Sequence, residues 1–421
     1  MRFCFASYGS SGDVYPLVTL GKTLIARGHS VCLACPSLFQ SLVDSAGLEW
    51  MPLFENERVP PVRDLMEAYS HVDDPLRLLK TMHSLTLPAF DQTVQALDAV
   101  LAESDCFLSS YLFSNLNAIA QRRQIPCLSI AFAHNIVPLE DEPPEQVPAL
   151  RWLPPALRKP YTRVAWNVGD RFVSNKLNRI LRKANKRNNL TPMRSFFRGD
   201  ARKMLVAVSP KLFRPQQKFD HEHFIFSGFL PPPAEVAGKL CQETLQFLSG
   251  QRCPLVTFGS ISPRGGLRAL QQFVDHWPQN EKLIVQAGWS DLDDLQTPAN
   301  IRIIGPVAHQ ALLPHISVAA HHGGAGTTAS LLRHGIPSVM IPHIADQRFW
   351  AREVIRIGAG VVLREKHWQL SLSDTLLQLR DNAEVASKTD DAATILSHED
   401  GAALAADHLE SEVCWTEGKE K

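Results

Sequence analysis

H-H-G-G-A-G-T-T, residues 321–328, stands between a segment typical of a buried strand and one typical of a helix. The strand is predicted at 317–321, and the helix at 329–334 with Gly335 closing it. Three glycines let the turn approach a ligand closely, and the N–H groups at the start of the helix point toward that ligand. The stretch therefore predicts a strand, a turn and a helix of an α/β domain, with an anion site at the turn.

The polar residues of this turn suit phosphate oxygens. His322 can donate a hydrogen bond or carry charge toward a diphosphate, and Thr327 and Thr328 supply hydroxyl groups. A tight turn whose glycines serve packing alone is the alternative interpretation. The histidine and the two threonines at the mouth of the helix favour phosphate binding.

Asp346 and Gln347 follow the next predicted strand, 338–341. Because ligands of such sheets bind beyond the carboxyl ends of the strands, both side chains should lie at the same edge as the glycine turn. A carboxylate beside an amide offers acceptors and donors for adjacent sugar hydroxyls. Asp346 could also be the N-cap of the following helix, and the two roles are compatible.

Both halves of the chain alternate short apolar strands with helical segments, which predicts an α/β fold with mostly parallel, doubly wound sheets. At 421 residues the chain is too long for one hydrophobic core, and the prolines at 231–233 are typical of a linker. We therefore expect an N-terminal domain at 1–230, a linker at 231–234, a C-terminal domain at 235–398, and a C-terminal helix at 399–421 that can return to the N-terminal domain.

The composition is that of an ordinary globular enzyme, with 45% hydrophobic and 20% charged residues. Lys+Arg and Asp+Glu both number 43, so the net charge gives no reason to expect nucleic acid as a partner. No apolar run approaches the roughly 18 to 20 residues of a membrane span, and the N-terminus lacks the features of a signal peptide. We expect a cytoplasmic location.

The basic residues are unevenly distributed. Residues 151–203 contain fifteen Lys or Arg and two acids, with apolar and aromatic residues interleaved. This mixture is typical of an amphipathic segment on an anionic membrane surface, although a solvated helix pair whose charges pair elsewhere is the alternative. No recognised nucleic-acid-binding module accompanies it. We hypothesise peripheral association with the inner face of a membrane, to be tested by neutralising Lys183, Lys186 and Arg187.

The sequence resembles the family 1 glycosyltransferases. H-H-G-G-A-G-T-T, the following G-I-P-S-V-M-I-P at 335–342 and the D-Q pair at 346–347 are similar to the donor-binding signature of that family. G-S-S-G-D-V-Y-P at 9–16 resembles the N-terminal loop of the branch with sterol glucosyltransferases, glycopeptide-antibiotic glucosyltransferases and rhamnolipid-type rhamnosyltransferases. The likeness covers nearly the whole chain and is weakest at 55–200. It implies the GT-B fold, with two Rossmann-like doubly wound domains facing across a cleft.

The resemblance also implies roles for individual residues. It assigns the donor diphosphate to His322, Gly324, Gly326, Thr327 and Ser260, the donor sugar to Asp346 and Gln347, the nucleoside to Val307, and the catalytic base to Asp13. Plant members have an aromatic residue that stacks on the base and a Glu that binds the ribose. Here 306–310 contains no aromatic residue and Ser330 replaces the Glu. The choice between uracil and thymine therefore stays open.

Asp13 has a second interpretation. A carboxylate in a glycine loop at a helix start is most often an N-cap. A catalytic base must lie within reach of an acceptor hydroxyl, and a loop at the carboxyl end of a strand is where it would be. We favour catalysis over capping alone, mainly on the resemblance.

No metal and no cofactor are expected, because His322 and helix N–H groups would neutralise the diphosphate. D-L-D-D at 291–294 looks like the metal-binding D-x-D of another glycosyltransferase fold, but it lies in a polar stretch away from the glycine turn. We interpret it as solvated surface.

The predicted function is inverting transfer of a sugar, glucose or rhamnose, from a UDP- or dTDP-sugar to a hydroxyl of a lipophilic acceptor. The acceptor classes are a sterol, a hydroxy-fatty acid lipid and a polyketide-like natural product. One alternative is a nucleotide-sugar epimerase of the same fold. Another is a non-catalytic partner that binds a nucleotide sugar or a lipid.

Overall fold

The computed structural model describes residues 1–65, 72, 74–140, 142–213, 220–236, 239–259, 265–288, 292–343, 346–363 and 367–417. Within these ranges the chain divides into two compact units. The first contains Met1–Val62, Leu76–Leu230 and Asp400–Lys421, and the second contains Arg63–Pro75 and Pro231–Glu399.

The first unit is built on a seven-stranded sheet in which every pair is parallel. In spatial order its strands are β3 (Glu49–Pro52), β2 (Ser30–Cys35), β1 (Arg2–Ala6), β4 (Cys106–Ser110), β5 (Cys127–Ala131), β6 (Lys203–Val206) and β7 (Phe224–Phe226). The central strands are buried along almost their whole length, because helices cover both faces of such a sheet.

The second unit is built on a six-stranded sheet that is also parallel throughout. In spatial order its strands are β10 (Ile301–Ile304), β9 (Leu283–Gln286), β8 (Cys253–Thr257), β11 (Ile316–His321), β12 (Ser338–Met340) and β13 (Gly360–Val362). The predicted class, two parallel α/β sheets flanked by helices, is confirmed.

Helices connect the strands. In the first unit they are α1 (Ser11–Ala26), α2 (Gln40–Ser45), α3 (Pro75–Thr86), α4 (Phe90–Leu101), α5 (Asn117–Arg122), α6 (Pro155–Arg187) and α7 (Pro210–Phe213). In the second unit they are α8 (Gln242–Leu248), α9 (Gly266–Asp275), α10 (His309–Leu312), α11 (Ala325–Arg333), α12 (Gln347–Arg356), α13 (Trp368–Arg380) and α14 (Ala383–Ser397). The last helix, α15 (Gly401–Glu417), belongs to the first unit.

Local sequence signals explain how α1 begins and ends. Ser10 is its N-cap and forms a capping box with Asp13, which is the third residue of the helix. Gly28 has a φ of 86°, and its N–H donates to the Ile25 carbonyl at 2.9 Å while the His29 N–H donates to Leu24 at 3.1 Å. These two bonds form a Schellman motif, which glycine permits because it has no Cβ.

Two predicted elements differ from the observed ones. Helix α11 begins at Ala325, four residues before the predicted start. Glycine weakens a helix interior, but Gly326 lies in the first turn, where the N–H groups have no intrahelical partner to lose. The basic stretch, for which a helix pair was one expectation, contains instead the single 33-residue helix α6, which covers 155–187 of 151–203.

The C-terminal helix α15 packs against α1. Arg27, at the end of α1, contacts Asp407 at 2.7 Å and Glu410 at 2.8 Å, and His29 contacts Glu410 at 2.7 Å. The division of the chain differs from the predicted domains at 63–75, whose described residues group with the second unit rather than with the rest of 1–230.

Candidate functional site

The turn between β11 and α11 has a backbone that only glycine fits at Gly323. Its φ is 93°, and a Cβ there would lie 3.1 Å from the Gln347 carbonyl oxygen and 3.0 Å from Met340 Cε. Both the left-handed conformation and the lack of space exclude a larger residue. The glycine turn therefore packs directly on the start of α12, as the order of the strands predicts.

The N-terminus of α11 has no side-chain cap. Its N-cap is Gly324, and the N–H groups of Ala325, Gly326 and Thr327 have no acceptor among the residues that the structure describes. A Cβ at Gly326 would meet no atom of a described residue within 4 Å, so these residues leave the space beside this turn open. Uncapped N–H groups and the positive end of the helix dipole form a site for an anion.

The two threonines of the turn have different surroundings. Thr328 is buried, and its hydroxyl donates to the Gly324 carbonyl at 2.9 Å. This hydroxyl is therefore used within the helix in the observed conformation. Thr327 is partly exposed, and its hydroxyl forms no hydrogen bond with another described residue.

His322 is buried between two glycines. A Cβ at Gly324 would lie 2.5 Å from His322 Nε2, and a Cβ at Gly259 would lie 3.0 Å from Cε1. Burial holds the pKa of His322 well below its ordinary value, and the neighbouring rings of His321 and His343 lower it further. Of the two predicted roles, the structure favours hydrogen-bond donation by a neutral ring over charge.

Gly288 is a member of this region that the sequence analysis missed. It follows β9, and a Cβ there would overlap the carbonyl oxygen of Gly259, which follows β8. Gly259 itself has a φ of 60°, and a Cβ on it would press on the His322 ring. The ends of three neighbouring strands thus meet around His322. The sequence signal that could have identified Gly288 is a glycine just beyond the end of an apolar strand.

Asp346 and Gln347 lie at the same edge of the second sheet. Asp346 is at the N-cap position of α12, but its side chain makes no capping hydrogen bond, so the capping interpretation is wrong. Gln347 is buried, and its Oε1 accepts a hydrogen bond from the His343 N–H at 2.8 Å. That bond holds His343 beside the first residue of α12.

Asp13 lies at the carboxyl end of β1 in the first unit. Its Oδ2 accepts hydrogen bonds from the Ser10 N–H at 2.7 Å and from the Ser10 hydroxyl at 3.2 Å. Burial raises the pKa of Asp13 to about 6, although both hydrogen bonds from Ser10 oppose the shift. A carboxylate with such a pKa is ionised at neutral pH and is a stronger base than an ordinary aspartate.

Comparison with known proteins shows what these features resemble. Residues 279–401, which include the glycine turn, match the model of the erythromycin biosynthesis protein CIII-like C-terminal domain. The glycosyltransferase of kitacinnamycin superposes with a TM-score of 0.72 over 98% of both chains, at 20% identity. The glycosyltransferase VinC, solved with dTDP, superposes with a TM-score of 0.66 over 98% of this chain and 99% of its own, at 16% identity.

The chain has the GT-B fold and resembles the family 1 glycosyltransferases. A sterol 3-beta-glucosyltransferase of Komagataella phaffii is 25% identical over 96% of this chain. The chain spans only 34% of that relative's length. A glycosyltransferase of Mycobacterium tuberculosis is 26% identical, with 86% of each protein covered. The predicted family resemblance and fold are therefore confirmed.

The resemblance also assigned Ser260 to the diphosphate and Val307 to the nucleoside, and the structure describes only Val307. Ser260 lies outside the described residues. Val307 is partly buried beyond β10, and its carbonyl accepts a hydrogen bond from Gln286 Nε2 at 2.9 Å. Gln286 in turn accepts from the Thr257 hydroxyl at 3.2 Å, so the ends of β8 and β9 hold the loop that contains Val307.

The D-L-D-D segment agrees with its interpretation as surface. Asp293 and Asp294 are exposed, whereas Leu292 is buried in the core of the second unit; Asp291 lies outside the described residues. Across the described ranges, no three His, Cys, Asp or Glu side chains are grouped so that they could hold a metal ion.

Proposed function

We propose that the chain is an inverting glycosyltransferase that moves a sugar, glucose or rhamnose, from a UDP- or dTDP-sugar to a hydroxyl of a lipophilic acceptor. A sterol, a hydroxy-fatty acid lipid or a polyketide-like compound would supply that hydroxyl. The chemistry common to all of these is an uncharged hydroxyl on a largely apolar body.

The observation that carries the proposal is the uncapped N-terminus of α11 beside the buried, neutral His322. Three N–H groups without acceptors and an imidazole form a donor set for the oxygens of a diphosphate. The solved relatives that contain dTDP support a nucleoside diphosphate as the anion. We assign the sugar hydroxyls to Asp346 and Gln347, because the start of α12 lies beside the glycine turn.

In the proposed reaction Asp13 takes the proton of the acceptor hydroxyl. The hydroxyl oxygen forms a bond to the anomeric carbon, and the bond from that carbon to the diphosphate oxygen breaks. The diphosphate leaves with the electron pair, and its charge is stabilised by His322 and by the N–H groups of α11. Attack opposite to the leaving group inverts the configuration at the anomeric carbon.

The raised pKa of Asp13 supports its assignment as the base. Oδ2 is held by Ser10, while no described residue donates a hydrogen bond to Oδ1. Oδ1 is therefore the atom that we assign to proton transfer. A capping role alone would need only Oδ2.

The proposal also concerns where in the cell the enzyme works. No helix in the described part of the chain is long and apolar enough to cross a membrane. We propose that the enzyme works in the cytoplasm, and that it meets its lipophilic acceptor at the inner face of the membrane through residues of 151–203.

The test is a measurement of thermal stabilisation by UDP, dTDP and their sugars, since a ligand that binds only the folded state raises the melting temperature. We expect a rise with UDP or dTDP that persists in a chelator and is lost in His322→Ala. His334→Ala is the matched control, because His334 contacts the Ser330 carbonyl at the far end of α11, at 2.8 Å. No rise with any nucleotide would overturn the proposal.

Product analysis separates transfer from its alternatives. Transfer requires an acceptor and yields a glycoside together with the free nucleoside diphosphate. A new sugar nucleotide formed in the absence of any acceptor would instead identify an epimerase. Nucleotide binding with no product in any assay, unaffected by Asp13→Asn, would identify a non-catalytic binding partner.

A further inference from the structure

Helix α6 has one face that packs on the first unit. It contains 33 residues and is therefore about 50 Å long. Trp166, Leu177, Leu181 and Ala184 are buried beneath it, and Leu177 joins a small hydrophobic cluster with Phe196. These buried positions fix the rotation of the helix, so the residues half a turn away must point outward.

The outward face of α6 is apolar along its first half. Leu157, Val164, Val168 and Phe172 are between 51% and 60% exposed, which is unusual for large apolar side chains in a helix. Their spacings of seven, four and four residues place them on one side of the helix. Trp152, just before the helix, is 78% exposed. Together they form a continuous apolar stripe rather than isolated surface residues.

The same face is basic along its second half. The series of spacings continues through Arg179, Arg182 and Lys186, and Lys183 lies beside them; all four are exposed. None of the four has an ion-pair partner among the described residues. The outward face, defined by these eight residues from Leu157 to Lys186, thus has an apolar half and a cationic half.

The other basic residues of 151–203 are not all available in this way. Lys159 contacts Glu140 at 2.9 Å, Arg187 contacts Asp91 at 2.8 Å, and Arg198 contacts Asp220 at 2.8 Å. Lys203 pairs with the buried Glu412. For these residues, pairing with acids elsewhere in the protein, which was the alternative to membrane binding, therefore holds. It does not hold for the outward face, and Arg187 is not a suitable probe of membrane binding.

We propose that the outward face of α6 is a docking surface for an anionic lipid bilayer. The apolar half would enter the boundary between headgroups and acyl chains, with the helix parallel to the membrane, and the cations would meet lipid phosphates. Aromatic side chains at Trp152 and Phe172 are suited to the same depth. The proposed membrane contact is therefore one side of α6 rather than the whole basic stretch.

A second copy of the chain fits this face less well. Two antiparallel α6 helices would place the cations of each against the apolar half of the other, which offers no counter-charge. Two parallel helices would place cations against cations, at a cost in free energy. An anionic bilayer has an apolar layer directly beneath its negatively charged headgroups. A helix parallel to its surface can therefore contact acyl chains with its apolar half and lipid phosphates with its cationic half.

The test uses the whole protein without donor or acceptor, so its outcome does not depend on sugar transfer. Binding to sedimented vesicles of phosphatidylcholine alone and of phosphatidylcholine with phosphatidylglycerol is measured for the wild type and two double variants. Val168→Asp/Phe172→Asp changes the apolar half, and Lys183→Gln/Lys186→Gln changes the cationic half. Leu370→Asp is the control for the first variant, because Leu370 is 57% exposed in the second unit. Arg268→Gln/Lys388→Gln, two exposed residues of the same unit, is the control for the second variant.

We expect the wild type and both controls to bind the anionic vesicles. Each double variant should bind at least about tenfold more weakly, while its melting temperature and its stabilisation by UDP or dTDP stay unchanged. Equal binding by the variants and the wild type, or no binding by the wild type, would overturn the proposal. So would a wild-type dimer that Val168→Asp/Phe172→Asp converts to a monomer, since the face would then belong to a second copy.

Discussion

Asp13 accepts both hydrogen bonds from Ser10 through a single carboxylate oxygen, Oδ2, at 2.7 and 3.2 Å. Helix capping and proton transfer were the two interpretations of Asp13 that its sequence position allowed. Here the capping bonds and the proposed proton transfer would use different atoms, because Oδ1 receives no hydrogen bond from any described residue. The capping box places the carboxylate at the carboxyl end of β1, and burial raises its pKa to about 6.

Replacing Asp13 by Asn should separate the two roles. The amide oxygen can still accept from the Ser10 N–H, so the helix start should be retained, whereas the base is lost. We expect kcat to fall about 10²- to 10⁴-fold with unchanged nucleotide binding. Steady-state kinetics with thermal shifts would measure both quantities, and a variant with wild-type kcat would exclude Asp13 as the base.

The pH dependence of activity follows from the same carboxylate. Because the base must be ionised, kcat/KM should fall as the pH drops through about 6, the pKa of Asp13. Ser10→Ala removes a hydrogen bond that lowers this pKa, so the acidic limb of the profile should move to higher pH. It should also cost about 1 kcal/mol of stability through loss of the N-cap. An unmoved limb would show that another group controls it.

Stability should respond to pH in the opposite sense. The pKa of Asp13 in the folded chain lies above its ordinary value of 3.8, so folding favours the protonated carboxyl. This contribution is fully present below the ordinary pKa and is lost as the pH rises through about 6. At pH 8 Asp13→Asn should therefore melt no lower than the wild type. A lower melting temperature would mean that ionised Asp13 stabilises the fold.

Two glycines of the turn should behave differently when changed to alanine. Gly324→Ala would press on His322 Nε2, and we expect both a lower melting temperature and a loss of nucleotide affinity of about tenfold or more. The methyl group of Gly326→Ala meets no atom of a described residue within 4 Å, so this variant should leave the fold intact or stabilise it by up to about 1 kcal/mol. Its methyl group would still obstruct the space beside the uncapped N–H groups. Wild-type affinity in Gly326→Ala would place the phosphate elsewhere.

Gly288 should be essential for stability although it presents no side chain to a ligand. An alanine there would overlap the Gly259 carbonyl, so one of the two backbone segments would have to shift. We expect Gly288→Ala to lose about 2–4 kcal/mol of unfolding free energy. Gly305→Ala is a suitable control, because a Cβ there meets no atom within 4 Å in the part of the chain that the structure describes. Denaturant unfolding of both variants would measure the difference.

The sequence by itself determined those features that depend on neighbouring residues. The glycine turn after β11, the alternation of strands and helices and the Gly28 helix end each follow from the conformational preferences of a few adjacent residues. The approach of Asp346 and Gln347 to the glycine turn also followed, because parallel strands end at a common edge. Family resemblance implied roles for these residues, which no local pattern contains.

Only the tertiary structure decided features that depend on residues distant in the chain. The contact between Gly259 and Gly288 joins two strand ends, and burial by surrounding elements keeps His322 neutral. Ion pairing also separates the basic stretch into paired and unpaired residues. Asp91, on another helix, neutralises Arg187, whereas Lys183 has no described partner. The physical reason is that burial and ion pairing are properties of three-dimensional neighbours, which a linear pattern does not record.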